Sequence, residues 1–164
     1  MNLIAAAALD WGIGKDGDLL AKIPEDMRYF RQKTIGKIVV MGRKTLESFP
    51  GGRPLPDRIN IVLSASHEEG NDGNVIWVKD IPSLLELLKD YDTEDVFIIG
   101  GGNVYNQMVE YCQRAYITRI NKIFPADTYI FDFDSAEDWT LTEKGEPKTY
   151  ADLTFSFDIY EKVK

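Results

Sequence analysis

Val96-Phe97-Ile98-Ile99-Gly100-Gly101-Gly102-Asn103 runs four apolar residues without interruption into three glycines. An apolar run that does not alternate predicts a strand covered on both faces, as in a mostly parallel sheet. The glycines mark a turn, and a helix opening near Asn103 presents unpaired backbone N–H groups to an anion. Tyr105 occupies the place of the third glycine in G-x-G-x-x-G, so the stretch is not the Rossmann fingerprint. A tight turn by itself accounts for three adjacent glycines.

Working outward, Leu3 to Leu9 and Ile38 to Met41 are further unbroken apolar runs, and Ile59 to Leu63 is one broken only by Asn60. Helical patterns lie between them. One follows Pro24, with Glu25 and Asp26 in its first turn, and continues through Met27, Phe30 and Arg31. A short one spans about Lys44 to Ser48, a third follows Asp80-Ile81-Pro82 through Leu84, Leu85, Leu87 and Leu88, and the fourth follows the glycines. Alternating strands and helices predict an α/β sheet with helices on both faces. After Arg114 come Ala115-Tyr116-Ile117-Thr118, an acidic loop, and Leu153 to Lys162 with Phe155, Phe157 and Ile159 alternating, so antiparallel strands are expected to finish the sheet.

The length of 164 residues fits one domain, 1–164, able to bury a core without disulfides or metals. The lone Cys112 forms no internal disulfide, and no basic segment followed by an apolar run marks a signal peptide, so a cytoplasmic location is expected. Asp10 interrupts the first apolar run well short of a membrane span, so no membrane partner is expected. His67 is the only histidine, and no Cys pair accompanies it, so no metal site is expected. A net charge of -8 disfavours nucleic acid as a partner. Ala21 to Asn60 runs against that total, with nine basic and four acidic side chains. Solvated helix faces explain most of these cations, and an anionic small ligand is compatible with the rest.

Met41-Gly42-Arg43-Lys44-Thr45 repeats the logic of the opening stretch: strand, glycine, two cations and a hydroxyl at a helix start. It lacks the Walker A spacing. Two anion-ready helix starts on one sheet suit a dinucleotide lying across the carboxyl ends of the strands. Asp26 stands beside the apolar face of its helix, although an acid in a first turn commonly just complements the helix dipole. The preceding segment, Trp11 to Ile23, contains Gly12, Gly14 and Gly17 and reads as a mobile lid or a flexible connection.

Together these segments resemble the dihydrofolate reductase family, of bacterial type, from Leu3 to Lys162. The resemblance is carried by Ile4-Ala5-Ala6, Ile13-Gly14, Ile23-Pro24-Glu25-Asp26-Met27, Val40 to Thr45, Gly52-Arg53-Pro54-Leu55-Pro56, Arg58-Ile59-Asn60, Ile98 to Gly102 and Tyr105, in family order. It implies a mixed eight-stranded sheet, mostly parallel with an antiparallel C-terminal strand, flanked by four helices. It also implies hydride transfer from reduced nicotinamide to C6 of 7,8-dihydrofolate with protonation at N5. Asp26 matches the acid that grips the pterin N3 and 2-amino groups.

By the same resemblance Ile4, Ala6, Leu20, Met27, Phe30 and Phe49 line the substrate cavity together with Leu55 and Ile99, and Thr118 lies behind Asp26. Arg58 binds the α-carboxylate of the glutamate tail, with Arg31 and Arg53 as looser flanking contacts. The cofactor groove takes Ala6, Ile13, Gly14, Gly42, Arg43, Lys44 and Thr45 from the first half of the chain. Leu63, Ser64, Ile99, Gly101, Gly102, Asn103, Val104 and Tyr105 complete it. Arg43 with Ser64 implies a 2'-phosphate and hence NADPH. Asp127 matches a residue that holds the lid closed, and the Gly100–Gly101 bond is expected to be cis. The expected partners are dihydrofolate and antifolates, and the expected state is a monomer.

Three positions depart from the family pattern. Ala21 replaces a tryptophan, which predicts a wetter, more open pocket, and Ala65 and Asn103 replace a hydroxyl and a base near the adenosine phosphates. A reductase of riboflavin synthesis shares the general fold but lacks the pairing of Asp26 with Arg58. A nucleotide-binding module without chemistry would keep the glycine turns and has no need of the acid, the ring pocket or the tail arginine.

Overall fold

The structure is a computed structural model describing residues 1–163; Lys164, the last residue of the expected domain, lies outside the described residues. The strands are β1 (Asn2–Ala7), β2 (Gly12–Lys15), β3 (Asp18–Leu19), β4 (Ile38–Gly42), β5 (Ile59–Leu63), β6 (Gly70–Asn71) and β7 (Val75–Val78). They continue as β8 (Val96–Gly100), β9 (Arg114–Ile120), β10 (Thr128–Tyr129), β11 (Trp139–Glu143), β12 (Lys148–Tyr150) and β13 (Leu153–Lys162). The helices are α1 (Pro24–Thr34), α2 (Arg43–Ser48), α3 (Ile81–Leu88) and α4 (Gly102–Met108).

The main sheet has the order β11-β13-β9-β1-β8-β4-β5-β7-β6, with β12 pairing β13. The consecutive strands β9-β1-β8-β4-β5-β7 run parallel to one another, and β1, β8, β4 and β5 among them are the apolar runs that predict a mostly parallel sheet. Successive residues of a strand point to opposite faces. Val39 and Met41 accordingly join Leu46 of α2 and the aromatic rings of α1, while Ile38 and Val40 join Leu84 and Leu88 of α3 and Met108 of α4. Helices therefore cover both faces.

Three expectations need correction. The sheet has ten strands and not eight, the surplus being β6 and β12, two exposed pieces of two and three residues with no apolar pattern to announce them. The antiparallel finish begins one strand later than expected, because β9 returns by a helical crossover and pairs parallel to β1; β13 then pairs antiparallel to β9. The alternation along β13 does not divide buried from exposed residues. Phe155 is buried, Phe157 and Ile159 only half-buried, and Ser156, Asp158 and Tyr160 are buried on the opposite face. Asp158 is 1% exposed and satisfied by Lys144 Nζ at 3.0 Å, the Gly145 N–H at 3.1 Å and the Ser156 hydroxyl at 2.8 Å.

The segment read as a lid is a hairpin. Lys15 pairs with Asp18 across Asp16-Gly17, both with positive φ (51° and 79°), the geometry of a two-residue hairpin turn. With β10 it forms a separate three-stranded sheet.

Candidate active site

Three contacts fix α1 over the sheet: the Tyr29 ring stacks on Phe157 at 4.1 Å, Thr34 is buried, and Glu25 pairs with Lys148 at 3.2 Å. The helix does not close down on the strands below it. Thr34 is its only fully buried residue, and Met27 is 60% exposed. The half-buried Phe30, Phe49 and Leu55 mark the apolar side of a candidate cleft. Ile4, Ile99, Phe30, Phe49 and Leu55 fall in one cluster, as the resemblance implies. Ala6 belongs to the adjoining cluster of Ile23, Ile120 and Phe155, with Ala21 packed against it.

Asp26 stands at the start of this cleft. The Thr118 hydroxyl donates to its Oδ1 at 2.5 Å, and Thr118, 2% exposed, is held in place by pairing with Ala6 on β1 and Phe157 on β13. Burial pushes the Asp26 carboxyl above its ordinary range and outweighs the opposing effect of the Thr118 hydrogen bond. No cation pairs with Asp26 among the described residues. It is an acid disposed to carry a proton or to meet a cationic, hydrogen-bonding edge.

The other end of the cleft is basic. Arg58 donates through Nε to Pro56 O at 3.0 Å and through Nη1 to the Thr34 hydroxyl at 3.1 Å. Burial, and then the neighbouring charge of Arg31, disfavour its cation. Neither arginine has an ion-pair partner among the described residues, so an anion arriving here meets two uncompensated guanidinium groups. The Arg53 side chain lies over Gly51. Asn60, to which the sequence reading gave no role, is buried and locks the turn that presents Arg58. Its Oδ1 accepts from Leu55 N at 3.0 Å and its Nδ2 reaches Leu55 O and Arg58 O at 2.9 and 3.1 Å.

A second group of residues gathers at the carboxyl ends of β4, β5 and β8. Gly42 and Gly101 cap α2 and α4, and neither cap makes a side-chain hydrogen bond to the helix, so the first N–H groups stay open. The two helix starts adjoin. A Cβ at Gly42 would lie 3.2 Å from Val104, and one at Gly101 would lie 3.5 Å from the Thr45 hydroxyl. The Gly100–Gly101 bond is cis, as expected. The hairpin crosses above: a Cβ at Gly102 would meet Thr128 at 2.5 Å and Ile13 at 3.9 Å. Gly14 O accepts from the Asp127 N–H, whose carboxylate in turn accepts the Asp16 N–H at 2.9 Å. The Tyr105 hydroxyl is turned inward, 2.7 Å from Ile4 O and 2.8 Å from Ile99 O, so it braces β1 against β8 beneath the glycines. Asn103 is exposed and accepts from Gln107 at 2.8 Å. Arg43 reaches Ser66, a residue the sequence reading passed over, at 3.0 Å, and Ser66 lies 3.4 Å from Ser64. Lys44 is exposed beside them.

The space beside Ala21, expected to be wetter and more open, has an apolar lining. Ala6, Gly12, Ile13, Leu20, Ala21 and Ile120 border it, with Leu20 the large neighbour on the Ala21 side of the hairpin. Among the described residues no cluster of three metal-ligating side chains occurs. No described helix is long and apolar enough to cross a membrane.

Comparison with known proteins agrees with this geometry. A family model described as dihydrofolate reductase matches residues 1–162. The dihydrofolate reductase of Haemophilus influenzae is 40% identical over 140 residues, covering 85% of this chain and 83% of that one. That of Bacillus subtilis is 36% identical over 152 residues, covering 92% and 87%. That of Sus scrofa is 35% identical over 181 residues, covering 99% and 97%.

Proposed function

Since the chain belongs to the dihydrofolate reductase family and is an enzyme that reduces dihydrofolate to tetrahydrofolate, we propose that it does so with NADPH, Asp26 directing protonation at N5 and Arg58 holding the substrate's tail. The observation that carries the assignment is the polarity of the cleft. Asp26 and Thr34, the partner of Arg58, are eight residues apart on one helix, which separates acid and base by about 12 Å. A flat heterocycle with a hydrogen-bonding edge at one end and a carboxylate at the other fits that spacing, with Ile4, Phe30, Phe49 and Ile99 around its rings.

Asp26 accepts from the pterin N3 and 2-amino groups as a two-point partner. Its raised proton affinity keeps a larger fraction protonated near neutrality than an exposed aspartate has, which favours delivery of a proton to N5. Apolar walls exclude bulk water from the ring. The Arg43, Ser64 and Ser66 donors and the open helix starts after Gly42 and Gly101 suit the phosphates of NADPH. Bound there, NADPH supplies the hydride that C6 receives. The hairpin, tied by Asp127, closes over the same face. The reading takes 1–164 as one reductase domain, monomeric and cytoplasmic, with antifolates as competitive ligands.

Loss of nicotinamide absorbance on mixing enzyme, NADPH and dihydrofolate is the test. Turnover with NADPH and little with NADH is expected. No turnover with either cofactor by a folded protein sinks the reading.

A further inference from the structure

The chain turns from β1 into β2 through Ala8-Leu9-Asp10-Trp11. The Trp11 N–H donates to Ala8 O at 3.0 Å and the Ala8 N–H to Gly12 O at 2.9 Å. A turn closed in this way places one residue in the left-handed region, where glycine fits because it has no Cβ to clash. Here that residue is Trp11, at φ 68°, although Gly12 follows it and stays outside that region. A bulky side chain in this conformation is strained and persists only where its surroundings over-determine it. The indole is 5% exposed, with the Arg119 guanidinium 3.8 Å over its ring and Phe133 and Tyr160 at 5.6 and 5.9 Å. Arg119, itself 11% exposed, donates through Nη2 to Leu9 O and through Nη1 to Asp134, both at 3.2 Å. Asp134 accepts the Tyr160 hydroxyl at 2.7 Å, so Trp11, Arg119, Asp134 and Tyr160 make a closed ring of contacts around the turn. Arg119 follows Thr118 on β9, and successive strand residues face opposite ways, so this clamp stands on the face of the sheet opposite to the Asp26 cleft.

We infer that Trp11 and Arg119 are positioning residues for the reaction: the clamped indole fixes the direction in which the hairpin leaves β1, and with it the fraction of molecules whose Ile13 and Gly14 stand over the cofactor groove. The inference rests on the NADPH reading above. Relaxation of Trp11 out of the left-handed region would swing β2 away from its course and break the bond between Ala8 and Gly12. It would also break the bond from the Ile130 N–H to Trp11 O, which is 2.9 Å long. The indole, held in its slot, prevents that rotation. Ile13 follows two residues later and borders Gly102 at the start of α4, so a change of course at Trp11 is felt there at once. The apparent affinity for a ligand that needs the positioned hairpin falls in proportion to the fraction of molecules that hold it.

The experiment compares the parent with Arg119→Met, Arg119→Lys, Trp11→Phe and Trp11→Gly. It measures KM and kcat for NADPH, and titrates 2',5'-ADP by calorimetry, a fragment that lacks the nicotinamide and so makes no use of the hairpin. Arg119→Met keeps the apolar stem and deletes the fork. It is expected to raise KM for NADPH about fivefold, the scale of one lost cation–ring contact, with kcat much closer to the parent's. Amide exchange at Ile130 should quicken with it. Lysine keeps the cation but has no planar fork to reach both Leu9 and Asp134, so Arg119→Lys should fall between. Trp11→Phe retains an aromatic face and should lie near the parent, whereas Trp11→Gly, unstrained but with an empty slot, should raise KM as Arg119→Met does. Affinity for 2',5'-ADP should hold throughout. If Trp11→Gly does not fold, Arg119→Met, which leaves the ring in place, carries the test. A parental KM for NADPH in folded Arg119→Met, or equal weakening of NADPH and 2',5'-ADP, overturns the positioning role and leaves the cofactor reading standing. A parent that does not turn over NADPH overturns both.

Discussion

At Asp26 two opposing forces act on one carboxyl, and burial prevails over the Thr118 hydrogen bond. The folded protein therefore holds that proton more tightly than the unfolded chain. The stabilising contribution is complete below the ordinary carboxylate range and disappears as pH rises through the raised value. Asp26→Asn removes the buried charge and keeps an acceptor for Thr118, so its melting temperature at neutral pH should exceed the parent's, the gap closing on acidification. Its turnover at neutral pH should fall by about 10² or more, the scale of a positioned acid, and by less in acid. Parental turnover in this variant would show that the acid is misassigned. Thr118→Val deletes the group that favours the carboxylate, at about 1 kcal/mol of stability. The alkaline limb of the pH–rate profile should then move to higher pH, and a shift in the other direction contradicts the pairing. Arg58→Leu should raise KM for dihydrofolate far more than it lowers kcat, because the tail lies remote from the reacting carbons. A substrate truncated at the glutamate should erase that difference; if it persists, Arg58 has another task.

In the proposed function the β2–β3 hairpin is the element on which closure depends. Its base is anchored: Trp11 packs on Phe133 and Tyr160, and the Arg119 guanidinium lies 3.8 Å over its ring. Its tip depends on Asp127, whose carboxylate accepts from the Asp16 N–H and from the Thr128 hydroxyl. Those bonds hold Asp127 below the ordinary aspartate range, so the tie is intact above that range and is lost as pH falls through the lowered value. Asp127→Ala should speed amide exchange at Asp16 and leave β1 and β8 protected; unchanged exchange at Asp16 argues against the tie. At the other end of the hairpin, Ala21 borders an apolar space shared with Ala6, Ile13 and Leu20, where a larger side chain adds contact area. Ala21→Trp is expected to fold, to tighten dihydrofolate and methotrexate, and to slow their release. Unchanged or weaker dissociation constants would show that the hairpin is built around the small residue. The Asp16-Gly17 pair is the strongest short-range sign of a hairpin turn, and it lay in a segment whose three glycines otherwise read as flexible.

Over the whole molecule, the central cluster sets what can be reached. Cys112 is fully buried where α4 gives way to β9, among Leu3, Met108 and Ile117, and burial pushes its thiol up to about 12. Thiol reagents should leave it untouched in the native state, and its labelling across a denaturant series should follow global unfolding. Labelling in native buffer at the rate of a free thiol would mean that the centre opens locally. Local chemistry in the sequence was enough to locate β1, β4, β5 and β8, because apolar runs, broken in β5 only by Asn60, bury both faces of a strand. It also located the four helices and the glycine starts at 42 and 101, since capping and turn preferences act between near neighbours. Asp26 and Arg58 were legible as an acid and a cation, and their matched roles came from resemblance. Tertiary structure alone decided that β9 runs parallel to β1 and that the short β6 and β12 join the sheet. It also brought Thr118 to Asp26 across 92 residues and Arg43 to Ser66 across 23, and buried Asp158 on a strand whose pattern pointed it outward. Such contacts depend on how strands order and helices cross over, and no periodicity of neighbouring residues encodes which distant side chain arrives opposite.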